Sequence, residues 1–337
     1  MKIGLALPHY DFSYPFGGPS GRKADLAATV EWARRAERLG YDSVWVSDHF
    51  FLELTRYGGP PGRHGSLEPL ATLSAVAAAT ARIRLGTLVL SEAFRPPAML
   101  AKTAATLDQA SGGRLELGLG AGWYEDEYRA YGYPFGTAGE RMQRLEEAAR
   151  IVGGLLAGGE PFTFAGEHYQ VRDATIDPPP VQQPRPPLLI GSKGGPRAAR
   201  IVAEAADGWN TVWKWTPDAY AGKVATLRAA CEKAGRDPAT VRQTLGLYTI
   251  VGKDLPATWE ALRGWAPGTM LDDESLESFA EGALVGSAEQ CAERMAEFAA
   301  LGVTELIVAP APLPFAIPLP EQVEIIAGTL LPLLRDL

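Results

Sequence analysis

An acid and an imidazole follow a short apolar segment near the start of the chain. Residues 43–47 (SVWVS) are typical of a buried β-strand, and Asp48 and His49 come directly after it. Imidazole has a pKa close to neutrality and suits proton transfer, while a carboxylate beside it can hold a polar group of a ligand. A lone histidine is more often a core residue, but the adjacent acid and the Gly- and Pro-rich loop at residues 57–62 favour an active site.

Two glycine-rich segments follow later strand patterns. Residues 118–124 (GLGAGWY) combine glycines with two aromatic residues, which favours close approach of the backbone to a flat ring at Gly120, Gly122 and Trp123. Residues 191–197 (GSKGGPR) lead into a helix, where backbone N–H groups and the helix dipole favour phosphate. An ordinary tight turn is the alternative interpretation of both segments. The predicted phosphate ligands are Gly191, Ser192, Lys193 and Gly194.

Aromatic residues stand at two further strand ends. His9 and Tyr10 follow the first strand pattern, and Trp213 and Trp215 follow the sixth. Because active sites of α/β barrels lie at the carboxyl ends of the strands, these four side chains are candidates for the walls of a substrate pocket. A polar loop at residues 9–10, and core or dimer contacts for the two tryptophans, are the alternative interpretations.

Strand patterns alternate with helix patterns along the chain, which predicts a parallel sheet covered by helices. The predicted strands are residues 2–8, 43–47, 83–90, 114–119, 187–191, 208–213, 243–251 and 303–309. The predicted helices are residues 22–39, 67–80, 96–110, 140–156, 197–206, 217–234, 288–301 and 321–334. Eight repeats favour a (β/α)8 TIM barrel in a single domain of residues 1–337 over an open doubly wound sheet. A small hairpin at residues 158–187 and a polar segment at residues 252–286 are predicted as insertions.

Composition and charge narrow the class of protein. The chain has 337 residues, of which 46% are hydrophobic and 21% charged, as is typical of a globular enzyme. Its net charge of −8 argues against nucleic acid as a partner, because phosphate backbones are bound by basic faces. We expect no signal peptide, no membrane span and no metal site, and therefore a cytoplasmic protein. Cys231 and Cys291 fall in predicted helices far apart in sequence, which disfavours a disulfide or zinc site.

The ordered motifs resemble those of the luciferase-like monooxygenase family, in its branch of coenzyme F420-dependent oxidoreductases. The matching stretches are residues 36–49 (AERLGYDSVWVSDH), 84–90 (RLGTLVL), 108–114 (DQASGGR), 118–123 (GLGAGW), 139–141 (GER) and 206–210 (ADGWN). The resemblance implies F420 as the cofactor, with FMN as the alternative, and a homodimer. It also implies that Asp48 and His49 lie near the cofactor ring, that a cis peptide at Leu88-Val89 backs the ring, and that residues 191–195 hold phosphate.

Two positions depart from the sugar-phosphate dehydrogenases of this branch. Trp123 stands where those enzymes have an acid, and Glu53 stands where they have a tryptophan. These changes leave the cofactor expectation intact but argue against sugar phosphate as the substrate.

The resemblance favours hydride transfer between F420 and a small organic substrate, with His49 moving the accompanying proton and Asp48 holding the polar edge of the cofactor. Oxygenation through reduced FMN is the alternative on the same scaffold. Outside redox chemistry, a phosphate-binding lyase or isomerase and a cofactor-binding barrel without catalysis remain open. The lyase would need lysines or paired carboxylates at strand ends, and only Glu92, Lys193 and Lys214 come near that pattern.

Overall fold

The computed structural model describes residues 1–13, 24–54, 62–265 and 273–337. The chain forms two compact units. The first unit consists of Met1–Glu68, Val212–Gly222 and Gln243–Leu337, and the second consists of Pro69–Thr211 and Lys223–Arg242. The single domain of residues 1–337 stays a prediction. The loop expected at residues 57–62 lies, apart from Gly62, outside the described residues.

Strands and helices alternate along the described chain. The strands are β1 (Lys2–Ala6), β2 (Ser43–Val46), β3 (Phe51–Glu53), β4 (Arg63–Gly65), β5 (Arg84–Thr87), β6 (Leu90–Ser91), β7 (Leu115–Gly120), β8 (Phe162–Ala165), β9 (Gln170–Ala174), β10 (Leu188–Gly191), β11 (Gly208–Trp213), β12 (Arg242–Val251), β13 (Leu284–Gly286) and β14 (Val303–Ala309). The helices are α1 (Leu26–Leu39), α2 (Pro69–Ala79), α3 (Pro97–Ser111), α4 (Glu125–Tyr131), α5 (Ala138–Ala157), α6 (Pro196–Ala205), α7 (Pro217–Lys233), α8 (Leu255–Trp265), α9 (Leu276–Gly282), α10 (Ala288–Ala300), α11 (Pro320–Ile325) and α12 (Leu331–Arg335).

The first unit contains a parallel sheet in the order β12, β14, β1, β2. All four residues of β2 are buried, as expected for a parallel strand covered on both faces. Helix α1 begins at Leu26 because the Asp25 carboxylate accepts hydrogen bonds from the N–H groups of Ala27 and Ala28. The predicted start at residue 22 lies outside the described residues. The helix ends at Gly40, whose φ of 88° gives the left-handed cap predicted from the sequence.

The second unit contains a parallel sheet in the order β5, β7, β10, β11. The strand predicted at residues 83–90 is divided into β5 and β6 by the peptide bond Leu88-Val89, which is cis as expected. Strands β8 and β9 form an antiparallel pair, which confirms the hairpin predicted within residues 158–187. The last two residues of β11, Val212 and Trp213, belong to the first unit.

The segment after β12 is not simply polar, and this part of the prediction is wrong. Helices α8 and α9 bury Trp259, Leu262 and Phe279 against Ile250 of β12. The apolar residues are spaced along two short helices among charged and small residues, which hid the amphipathic pattern. Residues 266–272 lie outside the described residues.

Both cysteines are buried and reduced, Cys231 in α7 and Cys291 in α10, so their predicted helical positions are confirmed. Among the helices described, none is long and apolar enough to cross a membrane.

Candidate active site

In the first unit, the pairing of β1 with β2 brings His9 to the end of β2. The register pairs Ala6 with Trp45, so the chain beyond each strand continues side by side to His9 and Ser47. The Ser47 backbone N–H donates to His9 Nε2 at 3.3 Å, and His9 Nδ1 lies 2.9 Å from the Leu7 carbonyl oxygen. Because Nε2 accepts from a backbone N–H, the proton of this imidazole is on Nδ1 and is donated to Leu7. Burial is the main cause that lowers the pKa of His9 to about 4, so the ring is neutral near pH 7.

A hydroxyl chain extends from this histidine. The Tyr10 hydroxyl lies 2.5 Å from Ser47 Oγ, which in turn lies 3.1 Å from His9 Nε2. The Tyr10 ring centroid is 6.4 Å from that of His49. Asp48 is buried and His49 is half-buried. The structure therefore brings Asp48 and His49 together with the predicted substrate residues His9 and Tyr10.

Five rings of the first unit form a continuous cluster, which we call the ring cluster: His9, Tyr10, Trp213, Tyr248 and Phe315. The centroid of Phe315 lies 4.8 Å from that of His9, 6.0 Å from that of Tyr10 and 5.3 Å from that of Trp213. Trp213 stacks on Tyr248 at 5.5 Å with an interplanar angle of 18°. The structure thus joins Trp213, predicted at a strand end, to the residues beside His49.

Sequence reasoning missed Ser47, Tyr248 and Phe315. Ser47 directly precedes the acid and imidazole at the same strand end, which was an available signal. Phe315 adopts a φ of 56°, which is rare for a bulky residue, and Ser13 Oγ donates to its carbonyl oxygen at 2.6 Å. This hydrogen bond holds the backbone of Phe315, and no local pattern in the sequence indicates it.

The other predicted tryptophan of this region lies in the core. Trp215 is 7% exposed, packs edge-on against Tyr220, and donates its indole N–H to the Val212 carbonyl oxygen at 3.3 Å. These contacts do not support the prediction that Trp215 binds substrate. The neighbouring Lys214 forms an ion pair with Glu274 and lies 4.8 Å above the ring centroid of Phe279.

In the second unit, the Val89 side chain fills the space beside three glycines. A Cβ atom built on Gly120 would lie 2.8 Å from Val89, one on Gly191 would lie 2.5 Å from it, and one on Gly118 would lie 2.2 Å from the Thr87 carbonyl oxygen. The structure therefore brings together the predicted cofactor residues Leu88, Val89, Gly120 and Gly191. This packing explains the glycines without the expected approach to a flat ring, because larger residues at these positions would collide with Val89 or with the backbone beside it.

The predicted residues Gly122 and Trp123 follow β7 in the same unit. Gly122 has a φ of 69°, and its Cα lies so close to the Tyr128 hydroxyl that a Cβ would be 1.7 Å from it. Tyr128 in turn hydrogen-bonds Ser91 Oγ at 2.7 Å, which links this loop to β6. Trp123 is 48% exposed, so its indole is available to a ligand.

The glycine-rich turn between β10 and α6 contains the predicted phosphate ligands. The Ser192 N–H donates to the Asn210 carbonyl at 3.0 Å, and the Gly194 N–H donates to Ser192 Oγ at 3.2 Å. Gly195 is the N-cap of α6 and provides no side-chain cap, so the first N–H groups of this helix lack a side-chain acceptor from the cap. Burial lowers the pKa of the Lys193 ammonium. Lys193 is nevertheless exposed, and an anion bound here would meet a helix amino terminus and the charge of this lysine.

Sequence reasoning also missed the structural role of a buried acid in the second unit. Glu92 is 1% exposed, accepts a hydrogen bond from Arg144 at 3.1 Å and another from the Tyr169 hydroxyl at 2.8 Å. Burial raises the pKa of this carboxyl above its usual range. These contacts connect the β8–β9 hairpin and α5 to the segment that follows β6. Glu92 therefore has a structural role near the cis peptide Leu88-Val89, and its contacts do not favour a lyase reaction.

A second non-proline cis peptide, Val212-Trp213, was not predicted.

The packing of Val89 gives a testable difference between two glycines of one turn. We expect Gly191→Ala to lower the free energy of unfolding by about 1–3 kcal/mol, because the added methyl collides with Val89. In the matched control Gly195→Ala, the new Cβ meets no atom within 4 Å, and the free energy should change by less than about 0.5 kcal/mol. Urea unfolding of both variants measures the difference. Equal free energies for the two variants would contradict this account of Gly191.

Comparison with known proteins places the chain in a family. The profile of the luciferase-like monooxygenases matches residues 9–270. The F420-dependent glucose-6-phosphate dehydrogenase of Kineococcus radiotolerans is 35% identical over 272 residues, which cover 79% of this chain and 73% of that protein. The chain belongs to the luciferase-like monooxygenase family. It is therefore an oxidoreductase, as the sequence predicted.

Two further relatives show the range of this family. The FMNH2-dependent dimethylsulfone monooxygenase of Pseudomonas putida is 28% identical over 341 residues, covering 93% of this chain and 89% of that protein. The solved structure of an F420-dependent secondary alcohol dehydrogenase in complex with an F420-acetone adduct is 22% identical, covers 99% of both chains and has a TM-score of 0.78. This likeness confirms the predicted (β/α)8 barrel fold. Luciferase-like proteins thus include both F420-dependent dehydrogenases and FMN-dependent monooxygenases.

Proposed function

We propose that this luciferase-like protein is a coenzyme F420-dependent oxidoreductase that transfers a hydride between the deazaflavin and a small organic substrate. The observation that carries the phosphate part of this proposal is the turn of residues 191–195, where α6 begins without a side-chain cap beside the charge of Lys193. Support also comes from relatives about one-third identical that are named F420-dependent dehydrogenases.

The second unit has the residues that fit the phosphate of such a cofactor. The amino terminus of α6 offers N–H groups that are not capped by Gly195, and these favour an anion. Lys193, an exposed residue of the same turn, adds a positive charge that can donate charge-assisted hydrogen bonds to a phosphate. Ser192 Oγ accepts from the Gly194 N–H and keeps its own proton for donation. We assign Gly191, Ser192, Lys193 and Gly194 to this role.

The first unit has the residues that fit proton transfer. F420, when bound, supplies a hydride carrier in its deazaflavin ring. His49 gives or takes the proton that accompanies the hydride, and the buried Asp48 accepts a hydrogen bond from a polar edge of the cofactor. The Tyr10 ring lies beside His49 and is held in place by the Ser47 hydroxyl. His9 stays neutral near pH 7. It therefore orients the Ser47 and Tyr10 hydroxyls and does not exchange protons.

FMN with O2 is the second candidate, because the dimethylsulfone monooxygenase aligns with 93% of the chain. The acidic tail that distinguishes F420 from FMN would need cations. The sequence offers three candidates for this role, Lys193, Arg197 and Lys214. Lys214 forms an ion pair with Glu274, and Arg197 donates to the Gly139 carbonyl oxygen at 3.1 Å. Lys193 is assigned to the phosphate, which FMN also carries, so the preference for F420 rests on the F420-dependent relatives.

Removal of the Lys193 charge tests this cofactor site. We expect Lys193→Ala to weaken F420 binding by about 10- to 100-fold, the effect of losing one charge-assisted hydrogen bond. The control Lys233→Ala removes an exposed lysine from the last turn of α7 and should leave the affinity unchanged. Fluorescence titration with F420 gives both dissociation constants. Equal affinities for the two variants would place the phosphate elsewhere.

A further inference from the structure

The ring cluster presents aromatic surface on the side of His49 where the sequence predicted a substrate wall. Three of its rings, His9, Tyr10 and Phe315, are buried, whereas Trp213 and Tyr248 are half-buried. The buried rings are fixed: Tyr10 by the Ser47 hydroxyl, and Phe315 by the hydrogen bond from Ser13 to its carbonyl. The two half-buried rings are therefore the part of the cluster that a small molecule can reach.

From this arrangement we infer that the ring cluster binds an uncharged, ring-shaped apolar substrate and not a sugar phosphate. Trp213 and Tyr248 form the surface that contacts this substrate. The inference rests on the proposed function, since it names the substrate class for that hydride transfer. It departs from the relatives that are named glucose-6-phosphate dehydrogenases, although they are about one-third identical to this chain.

Charge argues against a phosphorylated substrate on this wall. A phosphate dianion is bound by arginine or lysine side chains that donate charge-assisted hydrogen bonds. The lysine adjacent to Trp213 is Lys214, whose ammonium forms an ion pair with Glu274 and lies over the Phe279 ring. Within the part of the first unit that the structure describes, the ring cluster itself contains one titratable imidazole, His9, which is neutral near pH 7.

Geometry argues for a flat or cyclic apolar group. Aromatic side chains bind other rings through offset-stacked or edge-to-face contacts, which Trp213 already makes with Tyr248 and Phe315 at 5.5 and 5.3 Å. A substrate ring can extend this arrangement with the same contacts. Aromatic and apolar linings with few polar groups are also the usual environment of small uncharged ligands. The polar groups near the cluster, Ser47 and His49, stand at its other end, where a reacting hydroxyl or carbonyl would be placed.

A matched pair of probes tests the inference on the whole protein. The probes are 2-naphthol and 2-naphthyl phosphate, which share one ring system and differ in charge, and isothermal titration calorimetry measures their affinities. We expect 2-naphthol to bind at least about tenfold more tightly, and glucose 6-phosphate not to compete with it. Trp213→Ala and Tyr248→Leu should each weaken 2-naphthol binding by about tenfold or more. The control Trp32→Ala, a half-buried tryptophan of α1 covered by Arg35, should bind as the wild type does.

The outcomes separate this inference from the proposed function. Tighter binding of the phosphate ester, or full affinity for 2-naphthol in both Trp213→Ala and Tyr248→Leu, would overturn the ring cluster as the substrate wall. F420 is titrated into the wild type in parallel. Failure to bind F420 with intact binding of 2-naphthol would overturn the proposed function alone. Far-UV circular dichroism of both variants identifies a loss of affinity that comes from unfolding, and the conservative Tyr248→Phe variant, which keeps the ring, should restore wild-type affinity.

Discussion

Replacement of His49 by alanine is expected to lower the rate of hydride transfer by about 10²- to 10⁴-fold, the usual contribution of a general acid or base. The rate falls because the proton that accompanies the hydride then has no side chain to give or take it. F420 affinity should change little, since the residues proposed to hold its phosphate lie on a different segment, at residues 191–195. Single-turnover kinetics with the best substrate from a screen of neutral ring-shaped alcohols measures the effect.

His168→Ala is the matched control for this experiment. His168 lies in the β8–β9 hairpin region, where its backbone N–H, and not its ring, donates to Glu147. The variant should keep the wild-type rate. Added imidazole should restore part of the rate of His49→Ala, since a small base can enter the space left by the side chain. Unchanged turnover and cofactor affinity in His49→Ala would remove His49 from the mechanism.

Stability is expected to fall on acidification because of one buried histidine. The pKa of His9 is lowered by burial to about 4 in the folded protein, whereas a histidine of the unfolded chain titrates near 6.5. The unfolded chain therefore binds a proton first as the pH falls. The contribution of neutral His9 to stability is complete above about pH 6.5 and is lost between about pH 6.5 and 4, and it amounts to about 3 kcal/mol.

Urea unfolding at pH 7 and at pH 4 measures this contribution. His9→Gln keeps a neutral polar group at all pH values, so its free energy of unfolding should fall less on acidification than that of the wild type, by about 3 kcal/mol. Tyr10→Phe removes the neighbouring hydroxyl but keeps the imidazole, and should retain the wild-type dependence on pH. If the wild type and His9→Gln lose stability equally, His9 is not the buried neutral group described here.

The local patterns of the sequence predicted much of the scaffold. Gly40 is at the helix end where a left-handed cap was expected, and Asp48 and His49 follow β2. In the described chain, each of the eight predicted strand segments contains a parallel strand. Each of these features depends on residues that are neighbours in the chain. The cis peptide at Leu88-Val89 came from the family resemblance and not from local pattern.

Contacts between distant segments were not predictable in the same way. The strand-end pattern of the sequence placed His9, Tyr10 and Trp213 at one pocket, but it contained no signal that Tyr248 and Phe315 complete the ring cluster. The glycines of β7 and β10 were expected to approach a ligand, but Val89 of another segment fills the space beside them. Likewise, α8 and α9 bury Trp259 and Phe279 in a segment whose composition indicated a polar loop.

Equilibrium titration of the wild-type protein with F420 and with FMN, under the same conditions and without O2, is the most direct test of the proposed cofactor. Because relatives about one-third identical to this chain are named F420-dependent dehydrogenases, we expect F420 to bind at least about tenfold more tightly than FMN. Tight binding of FMN with no measurable binding of F420 would contradict the proposal and make the protein an FMN-dependent member of its family.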